Sequence, residues 1–335
     1  MLNTKINCLE NIMPVINPPF SCSVSLLTEC FLKCKMCYMW KTKKDLNELA
    51  VNEWKDIAFS LCNIFEERGE IVLTGGEPLL KEGILDLISF CRKKGLKTIM
   101  TSNAFLINEE MARQISDSGL DQISISLDSF VEETHDFLRG VKGSYEKVIH
   151  AVEYIKKHNN SLRIEIITVL SGVNLKEMPE HVRWVKQHGK IDSLYFQAIA
   201  RPFFSSSGNN WQDDNEFNFL WPKDVFETHR IIDELIRLKE KGYLISNQTP
   251  QLELFKAYFE NPKKRIGMKK CRSGDFVINI DKMGNVFLCC FDKPIGNAKK
   301  DNIKTLWYSE QAEQMRIKMH NCDLACNNIV NCFFK

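Results

Sequence analysis

The chain has 335 residues, 45 lysines and arginines against 43 aspartates and glutamates, and a formal net charge of +2. That balance leaves no footprint of nucleic-acid binding, and the basic clusters at 41–44 and 263–265 read as solvated loops. No apolar run approaches the roughly 20 residues of a membrane span. The N-terminal Met-Leu-Asn-Thr-Lys-Ile-Asn-Cys lacks an apolar signal core, so a cytoplasmic protein without membrane or nucleic-acid partners is expected. In that compartment the 13 cysteines are expected as thiols or metal ligands rather than disulfides.

From about residue 22 to 200 the pattern alternates strand and helix. Short runs rich in branched residues predict strands at 24–27, 71–73, 97–101, 122–127, 163–170 and 193–199. Between them, Trp54, Ile57, Ala58, Leu61, Ile64 and Phe65 form a helical stripe stopped by Gly69. Ile84, Leu85, Leu87, Ile88 and Cys91 form a second, ended by Gly95. Asn108 before Glu109 and Glu110 caps a third, closed by Gly119. Ser144 opens a fourth with Val148, Ile149, Val152 and Ile155 inward, and Met178, Val182 and Val185 mark a fifth. Cys62 and Cys91 fall on apolar helix faces and read as core; Cys8 and Cys22 have no assigned role. Repeated βα units imply a parallel sheet, and six strands are too few to close an eight-stranded barrel. The expectation is an α/β fold, a partial (β/α)6 barrel over 20–242, with ligands at the carboxyl ends of the strands. Residues 200–222 form a long loop, readable as a lid, a substrate wall or a surface insertion. A helix follows at 224–241, then a second unit over 243–335 with a bridging helix at 250–261 and a cysteine-rich region at 271–332.

Cys30, Cys34 and Cys37 follow the first strand in a Cys-x3-Cys-x2-Cys spacing. Four thiolates normally hold a cubane cluster; three leave one iron open to another ligand. A zinc knuckle with a remote fourth ligand is the structural alternative. After the second strand comes Thr74-Gly75-Gly76-Glu77-Pro78. Its two glycines allow close backbone approach to a ligand, Glu77 supplies a charge suited to an ammonium group, and Pro78 fixes the turn into a helix.

With these two motifs together the chain resembles the radical S-adenosylmethionine (SAM) superfamily. The resemblance implies that Cys30, Cys34 and Cys37 bind a [4Fe–4S] cluster and that Gly75, Gly76, Glu77 and Pro78 meet the methionine amine of SAM. It places Ser102 and Asn103, followed by Ala104 where relatives often carry glycine, beside them. Ser124, Ser126 and Asp128 lie where relatives contact the SAM ribose, and Arg139 where they meet its carboxylate. Met36 departs from the aromatic that relatives carry before the third cysteine; Tyr38 after it is expected to supply the ring. Bland readings stand beside these: Asp128 as a turn cap, Arg139 in a surface ion pair, Ser102 and Asn103 as loop formers. The implied chemistry is one-electron cleavage of SAM to methionine and a 5′-deoxyadenosyl radical, which abstracts hydrogen from substrate.

Cys271 is followed by twelve residues, Gly284, four more and Cys289, with Cys290 adjacent; Cys322, Cys326 and Cys332 come later. Phe276, Ile278 and Ile280 alternate, 281–285 turns, and 286–288 returns, a hairpin that brings two cysteines to its base. This region resembles the SPASM/twitch auxiliary-cluster domain. The resemblance implies one auxiliary [4Fe–4S] cluster held by four of Cys271, Cys289, Cys322, Cys326 and Cys332, with zinc as the alternative. The further cysteine step of the two-cluster pattern does not occur before Lys335. Cys290 reads as a core thiol, with spare ligand and hydrogen-atom donor as alternatives.

The expected function is hydrogen abstraction from a small molecule, sugar-type compounds among the candidates, leading to oxidation, epimerisation or related chemistry. The expected reductant is a flavodoxin or ferredoxin. With about 20 residues before the first strand, no fused peptide-binding module is expected, so a peptide maturase would use a separate leader-binding partner. A non-catalytic, metal-stabilised binding protein is the alternative outside enzymes.

Overall fold

Nine strands form one open sheet in the computed structural model, which describes residues 16–42, 47–65, 69–208, 210–263, 271–322 and 331. In chain order the elements begin β1 (Ser21–Ser25), α1 (Val51–Cys62), β2 (Glu70–Thr74), α2 (Ile84–Lys93), β3 (Lys97–Ser102), α3 (Glu109–Ser118) and β4 (Gln122–Ser126). They continue with α4 (Glu132–Arg139), α5 (Ser144–His158), β5 (Arg163–Leu170), α6 (Met178–His188), β6 (Ser193–Ala198), α7 (Val225–Glu240) and α8 (Thr249–Glu260). Last come α9 (Ser273–Phe276), β7 (Val277–Ile280), β8 (Asn285–Phe287), β9 (Gly296–Asn297), α10 (Ile303–Trp307) and α11 (Glu310–His320).

The strand order is β6-β5-β4-β3-β2-β1-β7-β8-β9, and the sheet does not close, as expected of a partial barrel. The six core strands run parallel, and β7 joins β1 parallel with Ser21 opposite Val277. The hairpin β7–β8 therefore extends the core sheet itself, a pairing that strand periodicity alone does not encode. Its turn is held by Asp281 Oδ1, which accepts from Met283 N and Asn285 N at 2.9 Å each. Leu26 and Leu27, expected in the first strand, lie just past it, and β1 begins three residues earlier. The helix opening at Ser144 is preceded by the separate α4. Asn108 caps α3 through a bond from Met111 N, 2.8 Å. Among the described residues no helix is long and apolar enough to cross a membrane.

The two faces of the sheet differ in chemistry. Val24, Leu73, Met100, Ile123 and Ile164 are in register across five strands and buried under the helices. Burial of each such side chain contributes about 1.5–3 kcal/mol. On the opposite face Ser25 pairs with Thr74, and Thr101, Ser124, Glu165 and Ser193 form a matching row. A closed barrel fills this interior with branched side chains; here it carries hydroxyls, amides and a carboxylate.

Within the long loop, residues 211–222 form a packed wall. Two single turns of 3-10 helix (Trp211–Asp213 and Asn218–Leu220) bury Trp211, Phe217 and Leu220. Trp221 packs edge-on against Trp211, Tyr258 and Phe259 at 5.3–5.7 Å. Tyr38 N donates to Phe203 O at 2.8 Å, which ties the long loop to the cysteine loop.

Candidate metal and cofactor site

Cys30, Cys34 and Cys37 lie on the loop leaving the carboxyl end of β1. That loop is pressed against its neighbours by backbone contacts. Gly76 N donates to Leu27 O and Glu77 N to Glu29 O, both at 2.8 Å. A Cβ on Gly76 would stand 2.0 Å from Glu29 O, and one on Gly75 2.5 Å from Leu27 O, so side chains are excluded at both positions. On the other flank Lys33 N and Lys35 N donate to Arg139 O and Leu138 O at the end of α4.

The loop rims a cavity of about 180 Å³ lined by Cys30, Cys34, Cys37, Met36, Met39, Trp40, Thr74, Gly75, Gly76, Thr101, Ser102, Asn103, Ser126 and Arg139. Among the described residues no three His, Cys, Asp or Glu side chains gather as ligands of a single metal ion would. Burial pushes the Cys30 thiol up to about 12 and Cys37 to about 11. Cys34 is also raised by burial, against the lowering charge of Arg139. Asn103 Nδ2 donates to Cys30 Sγ at 3.6 Å, and Arg139 Nη1 to Cys34 Sγ at 4.0 Å. With these sulfurs held as thiolates by a metal, both donors would point at negative charge.

The remaining expected contacts stand behind the cavity wall. Glu77 is fully buried and accepts from Ser102 Oγ (2.8 Å), Asn103 N (2.8 Å) and Leu79 N (3.2 Å). Burial raises its pKa to about 7 against those three donors. Pro78 opens the turn beneath it. Asp128 is fully buried, pairs with Arg139 Nε at 2.8 Å, and accepts from Val169 N at 3.0 Å. Tyr38 packs on Phe217 at 5.3 Å under the Lys41 ammonium, its hydroxyl meeting Glu216. Sequence reasoning missed Trp40, Met39, Thr74 and Thr101. The two threonines were findable, because each ends the polar alternation of its strand.

A second thiol group gathers at the other end of the sheet. Cys271 precedes α9, Cys289 follows β8 and Cys322 follows α11. Burial raises the Cys271 thiol, with further raising by Cys289 and Cys322. His320 Nε2 lies 2.9 Å from Asp275 Oδ1, and Arg316 Nε donates to Gly274 O at 2.9 Å, fastening α11 to α9. Cys326 and Cys332 lie outside the described residues. Cys290, expected in the core, is exposed, because it sits in the turn past β8. Cys91 is buried as expected, while Cys62 is half-buried.

The Radical SAM superfamily model matches residues 24–185, and the SPASM iron–sulfur cluster-binding domain model matches 271–332. The chain thus carries a radical SAM superfamily domain followed by a SPASM iron–sulfur domain. An AdoMet-dependent heme synthase of Methanosarcina barkeri (strain Fusaro / DSM 804) is 24% identical over 306 residues, 90% of this chain and 84% of that protein. Streptococcus suis SuiB bound to S-adenosylmethionine superposes with a TM-score of 0.69 at 17% identity, covering 90% of this chain and 68% of that one. Native anSMEcpe with bound AdoMet and Cp18Cys peptide gives 0.66 at 19%, covering 90% and 84%. At that identity the solved structures establish the shared fold. The two domains imply a SAM-binding [4Fe–4S] cluster and auxiliary iron–sulfur binding. The chain's residues fit: three thiols rim one cavity, side-chain-free backbone faces them, and two nitrogen donors point at sulfur.

Proposed function

We propose that this radical SAM enzyme uses Cys30, Cys34 and Cys37 to hold a [4Fe–4S] cluster with one open iron. The observation that carries the reading is the thiol triplet across a cavity from the Gly75–Gly76 backbone. When bound and reduced, the cluster supplies the electron that cleaves SAM to methionine and a 5′-deoxyadenosyl radical. The chain's own residues position and shield. The Gly75–Gly76 backbone receives the methionine end of SAM, and Ser102, Asn103, Ser126 and Arg139 line the space for the rest. Trp40, Met36 and Met39 close the site with apolar surface that excludes water. Four of Cys271, Cys289, Cys322, Cys326 and Cys332 hold one auxiliary cluster. The division at 242/243 is read as the boundary between core and auxiliary unit. A flavodoxin or ferredoxin is the proposed reductant, in the cytoplasm.

The polar inner face supports a small, hydrogen-bonding substrate. At the carboxyl ends of the strands the cavity is lined by the hydroxyls of Thr74, Thr101, Ser102 and Ser126 and by the amide of Asn103. Such walls suit a polyol or sugar undergoing oxidation or epimerisation. A tetrapyrrole substrate is the second reading, favoured by alignment of 90% of this chain with a heme synthase.

The test is 5′-deoxyadenosine formation by anaerobically reconstituted, dithionite-reduced protein, alone and with nucleotide sugars, Fe-coproporphyrin III or peptides. Slow formation without substrate is expected, with acceleration by one probe class. Protein with filled clusters and bound SAM that forms none under every condition overturns the reading.

A further inference from the structure

Glu77 and Asp128 are both 0% exposed, and neither lines the cavity. Each holds a nitrogen donor that ends on a different cysteine sulfur. Glu77 Oε2 accepts from Asn103 N at 2.8 Å, and Asn103 Nδ2 donates to Cys30 Sγ at 3.6 Å. Asn103 Oδ1 accepts from Phe105 N at 2.9 Å, which orients the amide with its NH2 toward sulfur. Asp128 Oδ2 pairs with Arg139 Nε at 2.8 Å, and Arg139 Nη1 donates to Cys34 Sγ at 4.0 Å. Asp128 is itself fixed, because Oδ1 accepts from Val169 N at 3.0 Å and its backbone N–H meets His135 Nδ1 at 3.1 Å. The same device is built twice, from unrelated segments of the chain.

We propose that Asn103 and Arg139 set the reduction potential of the cluster on Cys30, Cys34 and Cys37 through N–H···S hydrogen bonds. Glu77 and Asp128 are the positioning residues that hold those donors on the sulfurs. This rests on the triplet being the cluster's ligands. The step concerned is uptake of one electron from the reductant by the oxidised cluster, with no bond made or broken. Added negative charge spreads onto the sulfurs, so a donor to sulfur stabilises the reduced state more than the oxidised one. Burial keeps water from replacing the donors and strengthens their field. Both donors therefore raise the potential and ease the reduction that precedes SAM cleavage. Glu77 spends both oxygens on protein donors, and Asp128 spends Oδ1 on Val169 N and Oδ2 on the charge of Arg139, which leaves backbone and the far side of Arg139 to face SAM.

The test is a potentiometric titration of the reconstituted full chain followed by electron paramagnetic resonance. The triplet cluster is identified by the change in its signal on adding SAM, and the auxiliary cluster serves as the internal reference. Asn103→Leu and Arg139→Met are each expected to lower the midpoint of the SAM-responsive cluster only, and together to lower it further. Arg139→Lys, which keeps the charge, is expected to lower it less than Arg139→Met. Asp128→Asn separates geometry from charge. Loss of a negative charge alone raises the potential, whereas a donor set loose lowers it and weakens the exchangeable-proton coupling seen by electron–nuclear double resonance. The proposal requires the second result. Unchanged midpoints in Asn103→Leu and Arg139→Met at full iron content overturn it, and so does an equal shift of the auxiliary cluster. Where an Arg139 variant fails to assemble the cluster, Asn103→Leu decides. A wild-type chain with no SAM-responsive cluster would instead sink the functional reading beneath it.

Discussion

Cys30, Cys34 and Cys37 follow the carboxyl end of β1, whereas Cys271 precedes β7 and Cys289 follows β8, at the amino end of the same sheet. The first group is held by protein contacts alone: glycine backbones pressed on one flank, the end of α4 on the other, and two buried carboxylates behind. The second is gathered by the ends of two helices and a turn, fastened by Arg316 to Gly274 O and His320 to Asp275, with the half-exposed pair Lys318–Asp292 at its rim. Surface pairs of that kind contribute about 0–1 kcal/mol. A preformed site binds without ordering its ligands, while a loosely gathered one gains its order from the metal. The contrast fits a site for repeated SAM chemistry at one end and a metal that organises the chain at the other.

The largest expected effect separates the two groups outright. Changing Cys30, Cys34 and Cys37 together to Ala should abolish SAM cleavage and leave iron at the C-terminal group. Cys271→Ser with Cys289→Ser should do the reverse, keeping the SAM-responsive cluster and losing the other iron. Iron per chain and 5′-deoxyadenosine yield read both. Cleavage surviving in the triple variant breaks the assignment of the first site.

Two glycines compare the rigidity of the cysteine-loop flank with that of the β7–β8 turn. In Gly76→Ala the new Cβ meets Glu29 O at 2.0 Å, a backbone atom that cannot swing aside. The variant should lose about 3 kcal/mol and fail to assemble the first cluster, since overpacking forces the backbone to shift. Gly284 has φ +84°, and its Cβ would lie 3.3 Å from Asn297 Oδ1, the end of a movable side chain. Gly284→Ala should cost only about 1–2 kcal/mol, the strain of a left-handed non-glycine residue. Denaturant midpoints and iron content compare them. Equal losses would mean that the turn is as rigid as the loop flank.

The strands, the helices and both thiol groups were legible because each is written locally. The span 163–170 was read residue for residue, and Asn108 and Gly119 bounded α3 as expected. What was not legible depends on partners distant in sequence. Glu77 read as a charge for an ammonium group, yet its carboxylate is taken by Ser102 and Asn103, 25 and 26 residues away. Asp128 read as a ribose contact or turn cap, and Arg139 as a SAM contact or surface ion pair; the two meet each other in the interior. The hairpin was visible, but its parallel join to β1 spans about 250 residues and leaves no periodic trace. Cys290 read as a core thiol, yet it sits in the turn past β8 and is exposed.

A middle-sized effect follows from Glu77, which has no counterpart among the described residues of the C-terminal group. Its carboxyl is raised from 4.5 to about 7 by burial. The folded state thus binds this proton more tightly than the unfolded chain does. The stabilisation is full below pH 4.5 and is lost as pH rises through about 7. The total is about 3 kcal/mol. Glu77→Gln cannot titrate, so in cluster-free protein the urea midpoint of wild type should fall relative to the variant between those pH values. Parallel pH curves would show that its three donors keep Glu77 ionised.

The smallest effect tests how far the metal orders the C-terminal segment. Two asparagines cap the open edge of β6 by imitating a strand. Asn247 Oδ1 accepts from Phe196 N at 2.7 Å and its Nδ2 donates to Phe196 O at 2.8 Å. Asn331 does the same to Ala198 at 2.8 and 3.0 Å, while its carbonyl accepts from Tyr195 OH at 2.7 Å. Asn247 is 1% exposed, so Asn247→Ala strands buried backbone groups and should cost about 2 kcal/mol with or without iron. Asn331 is half-buried, water can take its place, and Asn331→Ala should cost about 1 kcal/mol in cluster-free protein. It immediately precedes Cys332. If Cys332 is a cluster ligand, the metal already fixes that stretch, and the penalty should shrink in the loaded protein. A penalty unchanged by iron would remove Cys332 from the ligand set and leave Cys271, Cys289, Cys322 and Cys326 to hold the cluster.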